Sequence, residues 1–156
     1  MLLPFFTWCE HTAVGATIRE STWLFPVIEA VHLLGLAMLG GAVLLVNLRM
    51  MGLTMRQQSI ADMTRDAMPW IKTSVVIMLA SGVLLFLSEA VKCYNSTPFW
   101  WKMYGLAGAL VFTFRTWRAV ASSDRRGNSG YAPVVALVSV ALWAVVGWGG
   151  RWIGFQ

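Results

Sequence analysis

The chain has 156 residues, of which 58% are hydrophobic and only 12% are charged, and its formal net charge is +5. A soluble globular domain is excluded, because its charged share is usually about twice as large and a chain this short could not bury so much apolar surface. The positive charge accompanies no nucleic-acid-binding motif and is typical of loops facing anionic lipid. We therefore predict one integral membrane domain, residues 1–156, whose partner is the lipid bilayer and not a nucleic acid.

The first segment, residues 2–20, does not look like a cleaved signal peptide. It lacks a basic start, and Glu10 and His11 interrupt its apolar run. Its apolar residues recur at helical spacing at Leu2, Phe6, Cys9 and Ala13. This pattern predicts an N-terminal amphipathic helix that lies in the membrane interface.

Four apolar stretches follow, each close to the ~20 residues that cross ~30 Å of hydrocarbon. They cover residues 23–48, 70–91, 99–121 and 131–148. Each begins or ends near an aromatic residue, as is typical of membrane boundaries. No strand-like alternation competes with this pattern, so we predict an all-α polytopic membrane protein with a bundle of four transmembrane helices. Between the first two stretches, residues 54–69 favour a short amphipathic surface helix.

The distribution of basic residues predicts the orientation of these spans. Eight of the twelve lie in or beside the first and third connections between spans, namely Arg49, Arg56, Arg65, Lys72, Arg115, Arg118, Arg125 and Arg126. The other four are Arg19, Lys92, Lys102 and Arg151. We therefore expect a multi-pass protein of the bacterial inner membrane with both termini in the periplasm.

Two cysteines, Cys9 and Cys93, fall on the predicted periplasmic side, where oxidising conditions permit disulfides. A bridge between them and two unrelated apolar thiols both stay open. The sequence does not give the Cα separation that a bridge requires.

Ionisable residues inside a span are candidates for function, because hydrocarbon makes them costly. Glu29 and His32 are the deepest, and their spacing places them on one helix face. His32 lies roughly 14 Å along the axis from Trp23 at about 1.5 Å per residue. A short imidazole cannot reach the surface from there, so His32 requires a partner.

Other ionisable residues lie towards the same end of the antiparallel spans. We predict one outer polar cluster of Glu29, His32, Glu89, Lys92, Lys102 and Arg151. At the inner boundary, Asn47 and Arg49 are expected to cap the first span and to anchor it to headgroups. The turn after the third span is expected around residues 124–130.

Three interpretations of the outer cluster stay open. For haem b, His32 would bind the iron, Glu29 would orient His32 or handle a proton, and Trp143 would line the pocket. The propionates would pair with Lys92, Lys102 and Arg151, unless Lys102 is the second ligand of the iron. For copper or another metal, the donors would be His32, Glu29, Glu89, Met103 and His11, with Met38 and Cys93 as further sulfur ligands. With no ligand, Glu29 would pair with Lys102 or Arg151, and His32 with Glu89, in a network that sets helix register.

Several segments resemble a family of uncharacterised bacterial four-helix integral membrane proteins. They are WLFPVIEAVHLLGLAMLGGAVLLVNLRMMGL at 23–53, the Pro-Trp that opens the second span, FWWKM at 99–103 and GRWI at 150–153. That family is distantly similar to the HemJ-type protoporphyrinogen oxidases and to the CopD-type copper-resistance membrane proteins. In the HemJ type, a His in the first span and a Lys at the start of the third form the functional pair associated with haem b. His32 and Lys102 occupy the matching positions here.

We therefore expect a haem b or related redox-centre protein that transfers electrons to a periplasmic partner or to quinone. The alternatives are copper handling with a periplasmic metallochaperone and a non-catalytic accessory or scaffold subunit. Whether the protein is an enzyme stays open. A homo-oligomer could share the site, because one deep His per chain becomes two across a symmetric dimer.

Overall fold

The computed structural model describes residues 2–124 and 130–153, and every regular element within them is helical. In chain order these helices are α1 (Leu3–Glu10), α2 (Ala13–Glu20), α3 (Leu24–Met50), α4 (Ile60–Ser88), α5 (Ala90–Asn95), α6 (Thr97–Asp124) and α7 (Ala132–Ile153). The predicted all-α fold is confirmed for these residues. The turn expected around residues 124–130, with Arg125 and Arg126, falls mostly outside them.

The four long helices, α3, α4, α6 and α7, form a bundle. In it, α3 and α6 each contact both α4 and α7. Three of them, α3, α4 and α7, are long and apolar enough to cross a membrane. The other, α6, has 28 residues but is not among these candidates. Lys102, Arg115 and Arg118 interrupt its apolar sequence. Length and composition thus support three candidate spans where the sequence predicted four.

Large apolar side chains cover much of the outer surface of the bundle. Leu34 is 71% exposed, Val76 65% and Leu137 64%. In water each such side chain would cost about 1.5–3 kcal/mol relative to burial. Lipid removes this cost, so the exposed surface supports association with a bilayer.

The N-terminal segment forms two helices, where a single interfacial helix over residues 2–20 was expected. The helical conformation is interrupted at His11 and Thr12. The Thr12 hydroxyl caps α2 by accepting the Gly15 N–H at 3.2 Å. Phe6 and Cys9 are buried, as their spacing suggests, whereas Leu2 and Ala13 are exposed. The break therefore lets α1 and α2 pack in different directions.

Two charged side chains fasten these helices to the bundle. Arg19 on α2 donates to the Ser88 carbonyl at 3.1 Å and to the Glu10 carbonyl at 3.3 Å. The Glu10 carboxylate accepts the Val91 N–H at 2.7 Å. Because Ser88 ends α4 and Val91 lies in α5, these bonds hold α1 and α2 against one end of the bundle.

The second long helix begins earlier than predicted. Residues 60–69 are the first turns of α4 and not part of a separate surface helix. The Ser59 hydroxyl starts the helix by accepting the Asp62 N–H at 3.0 Å. Pro69 removes one backbone donor, yet the helix continues through it. It ends at Ser88, because Glu89 leaves the helical region with φ −136 and ψ 40.

Asn47 does not have the boundary role that its position suggested. It is fully buried, and its amide donates to the Ser139 hydroxyl of α7 at 3.1 Å. The residue lies on the inward face of α3 between Val46 and Met50, so it joins two helices instead of reaching headgroups. Arg49 donates to the Gln58 carbonyl at 2.6 Å and so holds the connection that precedes α4.

Candidate functional site

A cavity of about 390 Å³ lies among α3, α4, α6 and α7, and we name it the His32 cavity. Its lining is almost entirely apolar and includes Phe6 of α1 together with Trp100, Leu106 and Trp143. The ionisable residues in this lining are His32 and Lys102. The fold therefore brings together one imidazole and one ammonium in a low-dielectric space.

The hydrogen bonds around His32 favour one tautomer of the neutral imidazole. His32 Nδ1 lies 2.8 Å from Ser81 Oγ, and Ser81 Oγ lies 2.6 Å from the Ile77 carbonyl oxygen. A carbonyl oxygen can only accept, so the Ser81 hydroxyl donates its single proton to Ile77. With the Ser81 hydroxyl engaged in this way, its oxygen accepts from His32, and a neutral imidazole then carries its proton on Nδ1. The lone pair is consequently on Nε2.

Nε2 makes no hydrogen bond with any residue that the structure describes. The ring packs against Gly82 of α4, where an added Cβ would lie only 3.3 Å from His32 Cε1. Gly82 thus provides the room that the imidazole occupies. A ring held through Nδ1 and open at Nε2 is the arrangement that metal-binding histidines use.

Lys102 is half-buried, and its stem packs on α7. An added Cβ at Gly149 would lie 3.2 Å from Lys102 Cβ, and one at Gly150 would lie 3.6 Å from Nζ. Within residues 2–124 and 130–153, no ion pair includes Lys102. An ammonium without a counter-ion is costly in an apolar lining, so this position favours an anionic group of a ligand.

Two further predicted site residues, Met103 and Trp143, also line the His32 cavity. The Trp143 indole donates to the Thr113 hydroxyl at 3.0 Å. Its polar atom is therefore satisfied by α6, and its ring supplies apolar surface to the cavity. A second methionine, Met78, lines the same space.

The remaining members of the predicted outer cluster lie elsewhere. Glu29 is exposed on α3 and does not line the cavity. Glu89 and Lys92 pair with each other at 3.7 Å, with their side chains 40% and 44% exposed. Arg151 is exposed near the end of α7. The structure therefore does not assemble the six residues into one cluster.

The predicted set of metal ligands is also separated. His11 is exposed, and its Nδ1 lies 2.8 Å from the Thr7 carbonyl oxygen. Of the proposed donors, His32 and Met103 line the cavity, whereas His11, Glu29 and Glu89 do not. The described part of the chain contains no group of three or more His, Cys, Asp or Glu residues that could hold a metal ion.

The ligand-free network also differs from the one expected. His32 bonds to Ser81 and not to Glu89. Neither Glu29 nor any other carboxylate of the described residues pairs with Lys102. The two cavity residues are therefore not explained as partners of an internal ion-pair network.

Both cysteines are free and buried in the structure. Burial, followed by the nearby Glu89 carboxylate, raises the pKa of the Cys93 thiol to about 11. Cys93 is consequently a neutral thiol at physiological pH. Neither cysteine lines the His32 cavity.

Ser81 was not among the residues predicted from the sequence, although the chain carries a usable signal for it. Ser74, Ser81 and Ser88 recur every seven residues along α4, and all three are buried. Small polar residues at such spacing mark a helix face that packs against other helices in a membrane. Ser81 is the member of this series that lies opposite His32.

Comparison with known proteins identifies one relationship. A model described as a family of unknown function (DUF6644) matches residues 5–156. No curated protein and no solved structure matches the chain. The similarity to HemJ-type and CopD-type proteins stays a prediction.

Proposed function

The chain belongs to the DUF6644 family of unknown function, and from that premise we propose that it binds haem b, or a related iron porphyrin, in the His32 cavity. The observation that carries the proposal is that His32 Nε2 has no hydrogen-bond partner among the described residues. The bond between Nδ1 and Ser81 favours the tautomer in which Nε2 carries the lone pair. Iron of b-type haem is commonly bound by this kind of imidazole nitrogen. The use that follows is electron transfer within a bacterial inner membrane.

The charge of the cavity favours a haem over a bare metal ion. Lys102 has no carboxylate partner among the described residues, and its charge would repel an incoming cation. A haem brings two propionates, which a lysine can neutralise. The remaining apolar lining suits the porphyrin face.

Each cavity residue has a distinct part in this proposal. His32 would bind the iron, Ser81 would hold the ring, and Lys102 would pair with a propionate. Trp143 and Met103 would contact the porphyrin. A bound haem supplies one-electron redox chemistry. The apolar lining would tune its reduction potential.

We further propose that α6 is a fourth span. It packs beside α4 and α7, and it supplies Trp100, Lys102, Met103, Leu106 and Leu110 to the cavity. A bundle without α6 in the membrane would leave the cavity open on one side. Basic residues are more numerous at the end of the bundle away from the His32 cavity, which supports periplasmic termini. A reporter that is fused to the C-terminus and is active only in the periplasm would test this orientation.

The direct test is the visible absorption spectrum and metal content of the full chain, purified in mild detergent from cells supplied with haem precursor. We expect a Soret band and about one iron per chain. The variant His32→Ala should lose both. His11→Ala is the matched control, because it removes the other histidine, which lies outside the cavity. Wild-type protein that carries no iron and shows no Soret band after haemin is added would overturn the proposal.

A second candidate function rests on the two thioethers in the same lining. Met78 and Met103 line the cavity with His32, and sulfur with imidazole is a ligand set that suits copper(I). The partner would then be a periplasmic metallochaperone. Copper handling predicts copper without iron in the purified protein, with loss of copper in Met103→Leu but not in Met38→Leu, whose methionine does not line the cavity.

A further inference from the structure

A second concavity lies between α4 and α6, near the start of α4 and the end of α6. We name it the basic groove; it has a volume of about 510 Å³. Its lining consists of Ala61, Thr64, Arg65, Met68, Pro69, Lys72, Arg118, Ala121 and Ser122. It shares no lining residue with the His32 cavity.

Two cations of the basic groove are available to a ligand. Arg65 is engaged with Asp62 at 3.2 Å and with Asp66 at 3.6 Å. Lys72 and Arg118 are exposed, and among the side chains that the structure describes no carboxylate pairs with either of them. Lys72 of α4 and Arg118 of α6 line the same groove and so form a pair of donors with no carboxylate acceptor among the described side chains.

The hydroxyls of the groove leave these cations as its principal donors. Thr64 donates to the Ile60 carbonyl at 2.7 Å, and Ser122 donates to the Ala119 carbonyl at 2.8 Å. Their protons are therefore not available to a ligand. The remaining lining is apolar apart from Arg65. A ligand that fits this groove needs an anionic head and tolerates an apolar surface beside it.

The surfaces next to the cations show where an apolar tail would lie. On α4, exposed Val76 follows Lys72 four residues later, on the same face of the helix. On α6, exposed Val111 precedes Arg118 by two turns. Each cation thus stands at the end of an apolar stripe that runs along the outside of the bundle. Trp70, two residues before Lys72, is 61% exposed, as is typical of a residue at the headgroup level.

We propose that the basic groove binds an anionic phospholipid. Lys72 and Arg118 contact the phosphate, and the acyl chains lie along the stripes of α4 and α6. Basic pockets between membrane helices are a common binding place for acidic headgroups. The site does not depend on any cofactor in the His32 cavity.

Native mass spectrometry of the full chain in detergent tests this site, with dioleoyl phosphatidylglycerol and dioleoyl phosphatidylcholine titrated separately. Wild type should bind the anionic lipid more tightly. In the double variant Lys72→Gln/Arg118→Gln, the affinity for phosphatidylglycerol should fall about 25-fold, because each cation contributes about fivefold. Lys72→Arg/Arg118→Lys keeps both charges and should keep the binding, which separates loss of the site from loss of the fold.

Arg115→Gln is the matched control, because Arg115 is an exposed cation one turn from Arg118 that does not line the groove. It should bind phosphatidylglycerol nearly as wild type does. Equal affinity for the two lipids, or an equal loss in Arg115→Gln and the double variant, would overturn the proposal. A third arm uses inorganic phosphate; if phosphate alone binds wild type and displaces phosphatidylglycerol at comparable concentration, the site takes a free anion and not a lipid.

Discussion

The Ser81 hydroxyl controls what His32 can do. It accepts from Nδ1 while it donates to the Ile77 carbonyl, so the serine favours the tautomer of the neutral ring in which Nε2 is unprotonated. Such outer partners orient a metal-binding histidine and increase its basicity. Two residues on different helices therefore act together, although 49 positions separate them.

The variant Ser81→Ala tests this control. Without the hydroxyl, Nδ1 loses its partner and the ring is free to change tautomer and orientation. Haem affinity should fall about 10- to 100-fold, which is the usual effect of losing such an outer partner. Titration with haemin, followed at the Soret band, measures it.

Ser74→Ala provides the control for that experiment. Ser74 is a buried serine one heptad earlier on α4, and its hydroxyl bonds to the Trp70 and Ile71 carbonyls of its own helix. Its removal should leave haem affinity nearly unchanged. If Ser81→Ala bound haemin as tightly as Ser74→Ala, the role given to the serine would be wrong.

Gly82 packs against the imidazole ring of His32. In Gly82→Ala, the new methyl group would lie 3.3 Å from His32 Cε1, so the ring must shift by a few tenths of an ångström and its bond to Ser81 is strained. We expect a shifted Soret band and at least tenfold weaker binding, comparable to the loss of an outer partner at about 10- to 100-fold. Gly40→Ala is the matched control, since a Cβ there meets nothing within 4 Å. An unaltered spectrum in Gly82→Ala would show that the ring does not need this space.

Single residues also show what could be predicted from the sequence. His32 and Lys102 were identifiable because each is an ionisable residue within or beside an apolar stretch. Glu29 met the same criterion but is exposed on α3. The sequence gives the depth of a side chain along a helix, whereas the direction in which the helix is turned depends on packing with its neighbours.

Among the helices, α1 contributes Phe6 to the lining of the His32 cavity. Phe6 packs against Phe86, Tyr94 and Trp100, with ring centroids 5.3, 5.1 and 6.0 Å apart. Aromatic contacts of this kind stabilise a contact by about 0.5–1.5 kcal/mol beyond area burial. The docking of α1 therefore holds the Phe6 ring in the lining of the cavity.

The contact of α2 with the end of α4 depends on a glycine. A Cβ added at Gly15 would collide with the backbone carbonyl of Leu87. Because a backbone cannot move as easily as a side chain, Gly15→Ala should displace α2 and destabilise the protein by about 1–3 kcal/mol. Thermal unfolding in detergent gives the stability, and hydrogen exchange over residues 3–20 shows whether the two helices loosen.

Gly108→Ala serves as the comparison for Gly15→Ala, because a Cβ at position 108 meets nothing within 4 Å. This variant should match wild type in both measurements, apart from a slight gain in helix propensity. Equal behaviour of the two alanine variants would contradict the close approach of α2 to α4.

At this scale the sequence predicted the long helices well, because the thickness of a bilayer sets how many apolar residues a span needs. The ends were less predictable. The Ser59 cap starts α4 well before its apolar stretch, and Pro69 does not stop it. The break at Thr12 depends on a local side-chain bond that apolar spacing does not indicate.

Over the whole molecule, the two ends of the bundle differ in chemistry. One end holds the His32 cavity with its imidazole and ammonium, and the other holds the basic groove. The outer surface between them is apolar. A membrane explains this arrangement, since polar groups then lie inside the bundle or near the two headgroup layers.

The cavity itself could not be predicted from the sequence. It depends on the register of four helices, which contacts such as Asn47 with Ser139 set between residues that are 92 positions apart. No local pattern specifies such a pairing. The sequence could indicate which ionisable side chains are unusual within or beside an apolar stretch. The fold then showed that two of them, His32 and Lys102, line the same cavity.

The measurement that tests the central claim most directly is imidazole rescue of the variant His32→Gly. If His32 is the iron ligand, the purified variant should lack the Soret band, and free imidazole with haemin should restore it, because the small molecule can occupy the vacated space beside Ser81 and Gly82. His11→Gly should need no rescue. A His32→Gly protein that retains the wild-type spectrum without imidazole would contradict the account.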